Sequence, residues 1–269
     1  LVLRNQALTF ILLLGYIGLT LFYIQDKFYY LFDYMVYNLP LFKSTIVGFS
    51  SLELILNHRA IYFFAGLEFI FSAIFLFTRL PNAKRSHYPW LFLSFCMFLL
   101  AGTAGFRHVR SILREGEMRA LYTSINNKYV HEPKMAIDHY DISVEQKPET
   151  IRSVVGMKGT ALATSGVFTF CLNPGLRVEE VKEGEKPLDF KREEQILTVD
   201  FGREITEGDT VSLSVCYEGR IKDDFCYLDI PAEVLQQPYD KEMLKLDKKY
   251  SFQTPDYVLF TPETYWYPR

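Results

Sequence analysis

The residues His131-Glu132-Pro133-Lys134-Met135 begin like the zinc-peptidase signature H-E-x-x-H. In that signature, histidines at i and i+4 share one helical face, and the glutamate between them activates a metal-bound water. Here Met135 stands where the second histidine belongs, and Pro133 opposes a helix interior. The stretch is therefore not read as a metal centre. Carboxylates also occur in pairs, at Glu179-Glu180, Glu193-Glu194 and Asp223-Asp224. Each lies beside an expected turn or strand end, where charge is solvated. Cys171, Cys216 and Cys226 form no C-x-x-C pair, which disfavours a zinc knuckle. Cys216 and Cys226 are either two free thiols or a hairpin bridge. No glycine-rich phosphate loop occurs. On these residues the chain assembles no catalytic, cofactor-binding or metal site of its own.

One acid has an unusual setting. Glu68 sits midway along an apolar run, where its insertion costs about 3 kcal/mol and each surrounding Phe, Ile or Leu returns about 0.3–0.6 kcal/mol. The helix can still insert. An intramembrane acid is either a proton or substrate contact, or a structural hydrogen bond to a neighbouring helix.

The element that must position Glu68 is one of three expected spans, near residues 7–24, 60–80 and 90–106 of a membrane region covering 1–106. Between the first two lies a tyrosine- and phenylalanine-rich stretch. It reads as a re-entrant or surface-lying helix, with a gate on a transporter's outer side as the alternative. His108, just past the third span, reads as an interfacial residue. Residues 107–133 then read as an amphipathic stalk.

From 134 to 269 the period changes. Tyr140, Ile142 and Val144 alternate with Asp141, Ser143 and Glu145. The same two-residue alternation marks Leu197, Val199 and Phe201, and again Val211, Leu213, Val215 and Tyr217. Turn signals fall at 173–175, 183–185, 207–209 and 218–219, so this part is expected to be an all-β antiparallel sandwich or saddle. The predicted fold class is a membrane α-helical region of about three transmembrane helices, followed by that β-domain.

Charge separates the same two parts. Residues 1–125 carry a net charge of +5 and residues 126–269 carry −8. The acidic second part excludes nucleic acid as a partner, since that binding is dominated by neutralising phosphates. The lipid bilayer is the expected partner of the first part. Arg79, Lys84 and Arg85 in one short loop point to a cytoplasmic loop. That makes the chain an integral protein of the plasma (inner) membrane with the β-domain extracytoplasmic.

The strand series "YDISVEQKPETIRSVVGMKGTALAT", "FTFCLNPGLRVEEVKEGEKPLDFKREEQILTVDF", "EGDTVSLSVCYEGRI" and the closing "YWYPR" resembles the N-terminal β-domain of zinc aminopeptidases of the aminopeptidase N family, over residues 136–269. The stretches "YNLPLFKSTIVGFSS", "NHRAIYFF" and "LFTRLPNAKR" resemble a group in which an ABC transporter permease-type membrane region is fused to such an enzyme. The resemblance implies a chain that is part of a longer polypeptide, with further membrane helices before it and a catalytic domain after it. That domain would hold zinc and remove N-terminal residues from peptide substrates. Trp266, Tyr267 and Pro268 match a structural segment expected to pack against it. The alternative is a non-catalytic, permease-linked β-sandwich that binds peptides or braces a membrane complex.

Overall fold

The computed structural model describes residues 6–25, 27–36, 39, 41, 43–44, 48–49, 51–76, 88–222, 225–226, 228, 251–253 and 257–269. The chain divides into two compact units, with the division between Arg114 and Glu115.

The first unit is helical. Helix α1 covers Gln6–Leu19 and continues as one wider turn over Thr20–Ile24. There the Thr20 hydroxyl donates back to the carbonyls of Tyr16 (3.0 Å) and Ile17 (2.9 Å), a bond that loosens a helical ladder. Helix α2 covers Leu52–Leu76 and α3 covers Tyr88–Lys128. Among the described residues, three helices, Gln6–Ile24, Leu52–Leu76 and Tyr88–Lys128, are long and apolar enough to cross a membrane. Helix α2 starts eight residues before the expected span; residues 77–80 lie outside the described residues, as do Arg79, Lys84 and Arg85.

Helix α3 does not break near residue 106, so third span and stalk are one element of 41 residues. Its single proline, Pro89, occupies the first turn, where a missing N–H costs nothing. Among the described residues, the stretch after α1 holds tight turns in place of the expected surface helix. Phe28, Tyr29 and Tyr30 have φ of 53°, 58° and 61°, and Lys43–Ser44 (β1) pairs antiparallel with Gly48–Phe49 (β2). Three consecutive left-handed residues with side chains cost roughly 1–2 kcal/mol each, so other contacts must hold this turn.

The second unit is a β-sandwich. Its strands are β3 (Met135–Gln146), β4 (Ile151–Ala161), β5 (Ser165–Cys171), β6 (Leu176–Glu183), β7 (Lys186–Pro187), β8 (Asp189–Glu193), β9 (Ile196–Ile205), β10 (Thr210–Gly219), β11 (Ser251–Gln253) and β12 (Val258–Phe260). One sheet runs β3-β4-β10-β6-β7, a second runs β5-β9-β8, and β11 pairs with β12. The predicted alternation is realised on β9 and β10. Leu197, Val199 and Phe201 face Val211, Leu213, Val215 and Tyr217 across a single core, joined by Phe168, Phe170, Val155 and Met157. Hairpin turns fall at Gly184 (φ 60°) and Gly208 (φ 89°), where glycine carries the left-handed backbone without a Cβ penalty.

Two sequence readings change here. Glu218-Gly219 is not a turn but the last rung of β10, with Gly219 opposite both Ile151 and Leu176. Glu179-Glu180 lies inside β6. The register slips between Cys216 and Tyr217, so Glu179 is the extra residue of a β-bulge, and it is tied at 3.1 Å to Arg152. Asp223 and Asp224 lie outside the described residues.

Candidate functional site

Glu68 lies on the α2 face that meets α3. Its Oε1 accepts from the Ser72 hydroxyl at 2.9 Å, and the buried Ser94 hydroxyl of α3, which lies 2.8 Å from Ser72 Oγ and 3.4 Å from Glu68 Oε1, gives its one proton to either or shares it between them. This small network is a hydrogen-bonded bridge between helices. In apolar surroundings such bonds average about 0.6 kcal/mol and reach about 1.7 kcal/mol. Glu68→Gln, which keeps the accepting oxygen, is expected to leave thermal stability in detergent nearly unchanged, whereas Glu68→Leu lowers it by about 1–2 kcal/mol. Equal losses in both variants would show that the carboxylate's charge matters, not its accepting oxygen.

The left-handed turn is held by side chains of α2 and α3. His108 is wholly buried among the protein's own residues; its Nε2 lies 2.9 Å from the Tyr29 carbonyl. His58, also wholly buried, has Nε2 3.0 Å from the Tyr30 carbonyl, and the two imidazoles are 5.2 Å apart. The Tyr62 hydroxyl donates to the Leu31 carbonyl (2.6 Å), and Arg59 donates to that of Tyr34 (3.0 Å). Residues 58, 59 and 62 lie within about one helical turn, so a single stretch of α2 supplies three of the four anchors. Sequence reading missed His58; its only signal was a histidine beside an arginine at the head of an apolar helix.

In the second unit the polar centre is Asn173, wholly buried in the turn after β5. Its Nδ2 donates to the carbonyls of Lys222 (3.0 Å) and Thr264 (2.9 Å), and its Oδ1 accepts from the N–H groups of Gly175 and Lys222 (both 2.9 Å). One side chain thus ties the β5–β6 turn, the segment after β10 and the closing segment, with every amide hydrogen-bonding position filled. Arg192 donates to the Leu172 and Asn173 carbonyls at 2.7 and 2.9 Å, and burial pushes its guanidinium down to about 10.

The closing residues lie on the chain's own sandwich. Trp266 and Tyr267 are half-buried and pack on the core, and Pro268 is buried. The Tyr217 hydroxyl donates to the Trp266 carbonyl (2.7 Å) and the Tyr140 hydroxyl to that of Pro268 (3.0 Å). Arg269 exchanges two backbone bonds with Cys171, at 2.7 and 2.9 Å. Burial raises the Tyr217 and Tyr140 hydroxyls and pushes the Cys171 thiol up to about 12. Cys171 is therefore a poor nucleophile, because the thiolate is the reactive form. All four cysteines are free thiols, so Cys216 and Cys226 are not bridged.

The last turns of α3 belong to this packing, which the stalk reading did not foresee. Tyr122 is wholly buried and stacks edge-on to Phe225 at 5.2 Å. Wholly buried Gln195 donates to the Tyr122 carbonyl (2.7 Å) and to Asn126 Oδ1 (2.8 Å). Lys128 and the Tyr129 hydroxyl both reach Glu193, at 2.7 and 2.6 Å, and their hydrogen bonds hold that carboxyl below its usual range.

The H-E-P-K stretch is the turn between α3 and β3. The Pro133 carbonyl accepts from the Thr169 N–H (3.0 Å) and hydroxyl (3.1 Å). No group of three or more His, Cys, Asp or Glu side chains placed to hold a metal ion occurs among the described residues.

No protein-family model matches this sequence. No curated protein matches it either. Among solved structures, the chain is distantly similar to an M1 zinc metallopeptidase from Deinococcus radiodurans, with 18% identity and a TM-score of 0.31. A mutant of that enzyme bound to a Tyr-Ser-Ala substrate gives 20% identity and the same TM-score. Each likeness covers 33% of this chain and 21% of the other, so the match spans about a fifth of those chains. These likenesses do not link the helical part to a transporter permease.

Proposed function

We propose that this chain is a membrane-anchored, non-catalytic β-sandwich module that binds peptides or braces a membrane complex. The observation that carries the reading is α3. One uninterrupted helix supplies an apolar span and, through Tyr122, Asn126 and Lys128, hydrogen-bonding and packing partners for the sandwich. A domain built onto a span in this way suits holding a partner at the membrane. The described residues offer no metal-ligand cluster for hydrolysis.

The test is peptide hydrolysis by the full chain in lipid nanodiscs with added zinc. The chain should release no N-terminal amino acid; release in proportion to chain concentration, abolished by a chelator, would overturn the non-catalytic reading.

A second reading places this module at the front of a zinc aminopeptidase that hydrolyses peptide N-termini, linked to a permease-type membrane region. It is supported by the order of the strand motifs in 136–269 and by Trp266 and Tyr267, which are only half-buried on this chain's own sandwich and keep surface for a neighbouring catalytic domain, with Pro268 buried beneath them. Zinc would be held there by H-E-x-x-H and a later glutamate. In this reading, as in the first, the β-domain is extracytoplasmic, which protease protection in sealed right-side-out vesicles would contradict. Sequencing beyond Arg269 decides it: a downstream H-E-x-x-H with its glutamate supports the enzyme, and a downstream domain lacking those ligands sinks it.

A further inference from the structure

Strand β3 is the edge of the five-stranded sheet and pairs, among the described residues, with β4 alone. The bulge at Asp138 interrupts the ladder, which leaves His139–Glu145 as a regular edge of seven residues with no further strand beside it among the described residues. The two faces of that edge differ. On the inner face, Tyr140 and Ile142 are only partly buried and Val144 is 41% exposed. On the outer face, Asp141, Ser143 and Glu145 are exposed.

Those carboxylates lack the partners that the sheet gives to others. Arg152 is the register neighbour of Glu145, yet its guanidinium is spent on Glu179 at 3.1 Å. Lys147 is likewise spent on Glu218 at 2.7 Å. Among the described residues, Asp141 and Glu145 form no ion pair. By contrast, Asp138 at the bulge accepts from the Thr160 hydroxyl at 3.1 Å.

We infer that the β3 edge binds an extended peptide that alternates basic and apolar residues, added as a sixth strand beside His139–Glu145. The free main-chain groups of an edge strand give affinity, and alternate side chains give selection. Apolar residues would extend the Tyr140–Ile142–Val144 row, and cationic residues would meet Asp141 and Glu145. A second copy of β3 is the wrong occupant, since antiparallel self-pairing brings acids against acids, a like-charge juxtaposition that edges use to avoid association. The inference rests on the sandwich being a binding module, and it names that module's ligand class.

The test uses the full chain in neutral-lipid nanodiscs and a labelled seven-residue peptide alternating lysine and valine, read by fluorescence anisotropy. Three comparisons accompany it: the peptide N-methylated at every second amide, its glutamate-for-lysine counterpart, and the Asp141→Lys/Glu145→Lys chain. These two positions are exposed, so the double variant should unfold at the wild-type temperature. Saturable binding is expected, weakened about tenfold or more in each comparison. An N-methylated peptide that binds as well as the parent would overturn strand addition, and undiminished binding to the double variant would overturn the acidic edge. Absence of any binding sinks the inference while leaving a bracing role intact; zinc-dependent hydrolysis would instead sink the reading beneath it.

Discussion

Asn173→Ala destabilises the sandwich by about 4 kcal/mol, a large part of the roughly 5–15 kcal/mol that holds a domain folded. The substitution leaves the Lys222 and Thr264 carbonyls and the Gly175 and Lys222 N–H groups without their partner, in a site closed to water. A buried polar group stripped of its bond costs about 1–3 kcal/mol, and four neighbouring groups do not add independently. Urea unfolding followed by Trp266 emission, in a Trp90→Phe background, measures it. Trp266 lies two residues from Thr264, so the closing segment should report the loss directly.

Asn173→Asp supplies a pH signature. It keeps an acceptor for the two N–H groups but turns a second oxygen toward two carbonyls. Burial beside carbonyl oxygens raises the folded carboxyl above its unfolded value of about 3.9. The folded state then binds the proton more tightly, so this variant is most stable at low pH and loses stability as pH rises through the folded value. The wild-type amide has no such dependence at this site. A pH-independent deficit in the variant would mean that the site admits water.

Gly219→Ala is the second large effect, at about 2–3 kcal/mol. A Cβ on Gly219 would overlap the Gly175 carbonyl oxygen and sit 3.1 Å from Leu176 Cα; one on Gly175 would overlap the Arg220 carbonyl oxygen. Both obstacles are backbone, so β6 and β10 must separate at their ends for either methyl to fit. That separation pulls on the turn closed by Asn173. Gly219→Ala and Asn173→Ala should therefore cost less together than the sum of their separate effects. Thermal unfolding of the two single variants and the double variant checks this; full additivity would show that the strand ends and the turn are independent.

The legible parts of the fold were those set by local pattern. Strands β9 and β10 alternate because each has one face on the core, and that alternation is visible in Leu197–Phe201 and Val211–Tyr217. The spans were legible from apolar length alone. What was not legible depends on partners distant in sequence. Gly219 looked like a turn residue, but its lack of a side chain answers the approach of Gly175, 44 positions earlier. Glu179-Glu180 looked like loop charge because nothing local announces a bulge.

The stalk reading of 107–133 failed to anticipate Gln195, which meets the Tyr122 carbonyl across 73 positions. Tyr122 and Ile125, both buried and three residues apart, carried the signal that one helix face is covered. His58 and His108 were unreadable as a pair, because only the fold brings their rings within 5.2 Å. Glu68 was legible as an exception from the sequence, whereas its neighbours Ser72 and Ser94, one on each helix, were not.

Amide hydrogen exchange over residues 115–128 of the full chain in nanodiscs tests most directly whether the last turns of α3 fold as part of the sandwich. The amides around Tyr122 and Ile125 are expected to exchange as slowly as those of β9 and β10, and to open with them when urea is added. Exchange of 115–128 within seconds while β10 stays protected would contradict this, leaving a flexible tether where Tyr122 and Asn126 meet Gln195.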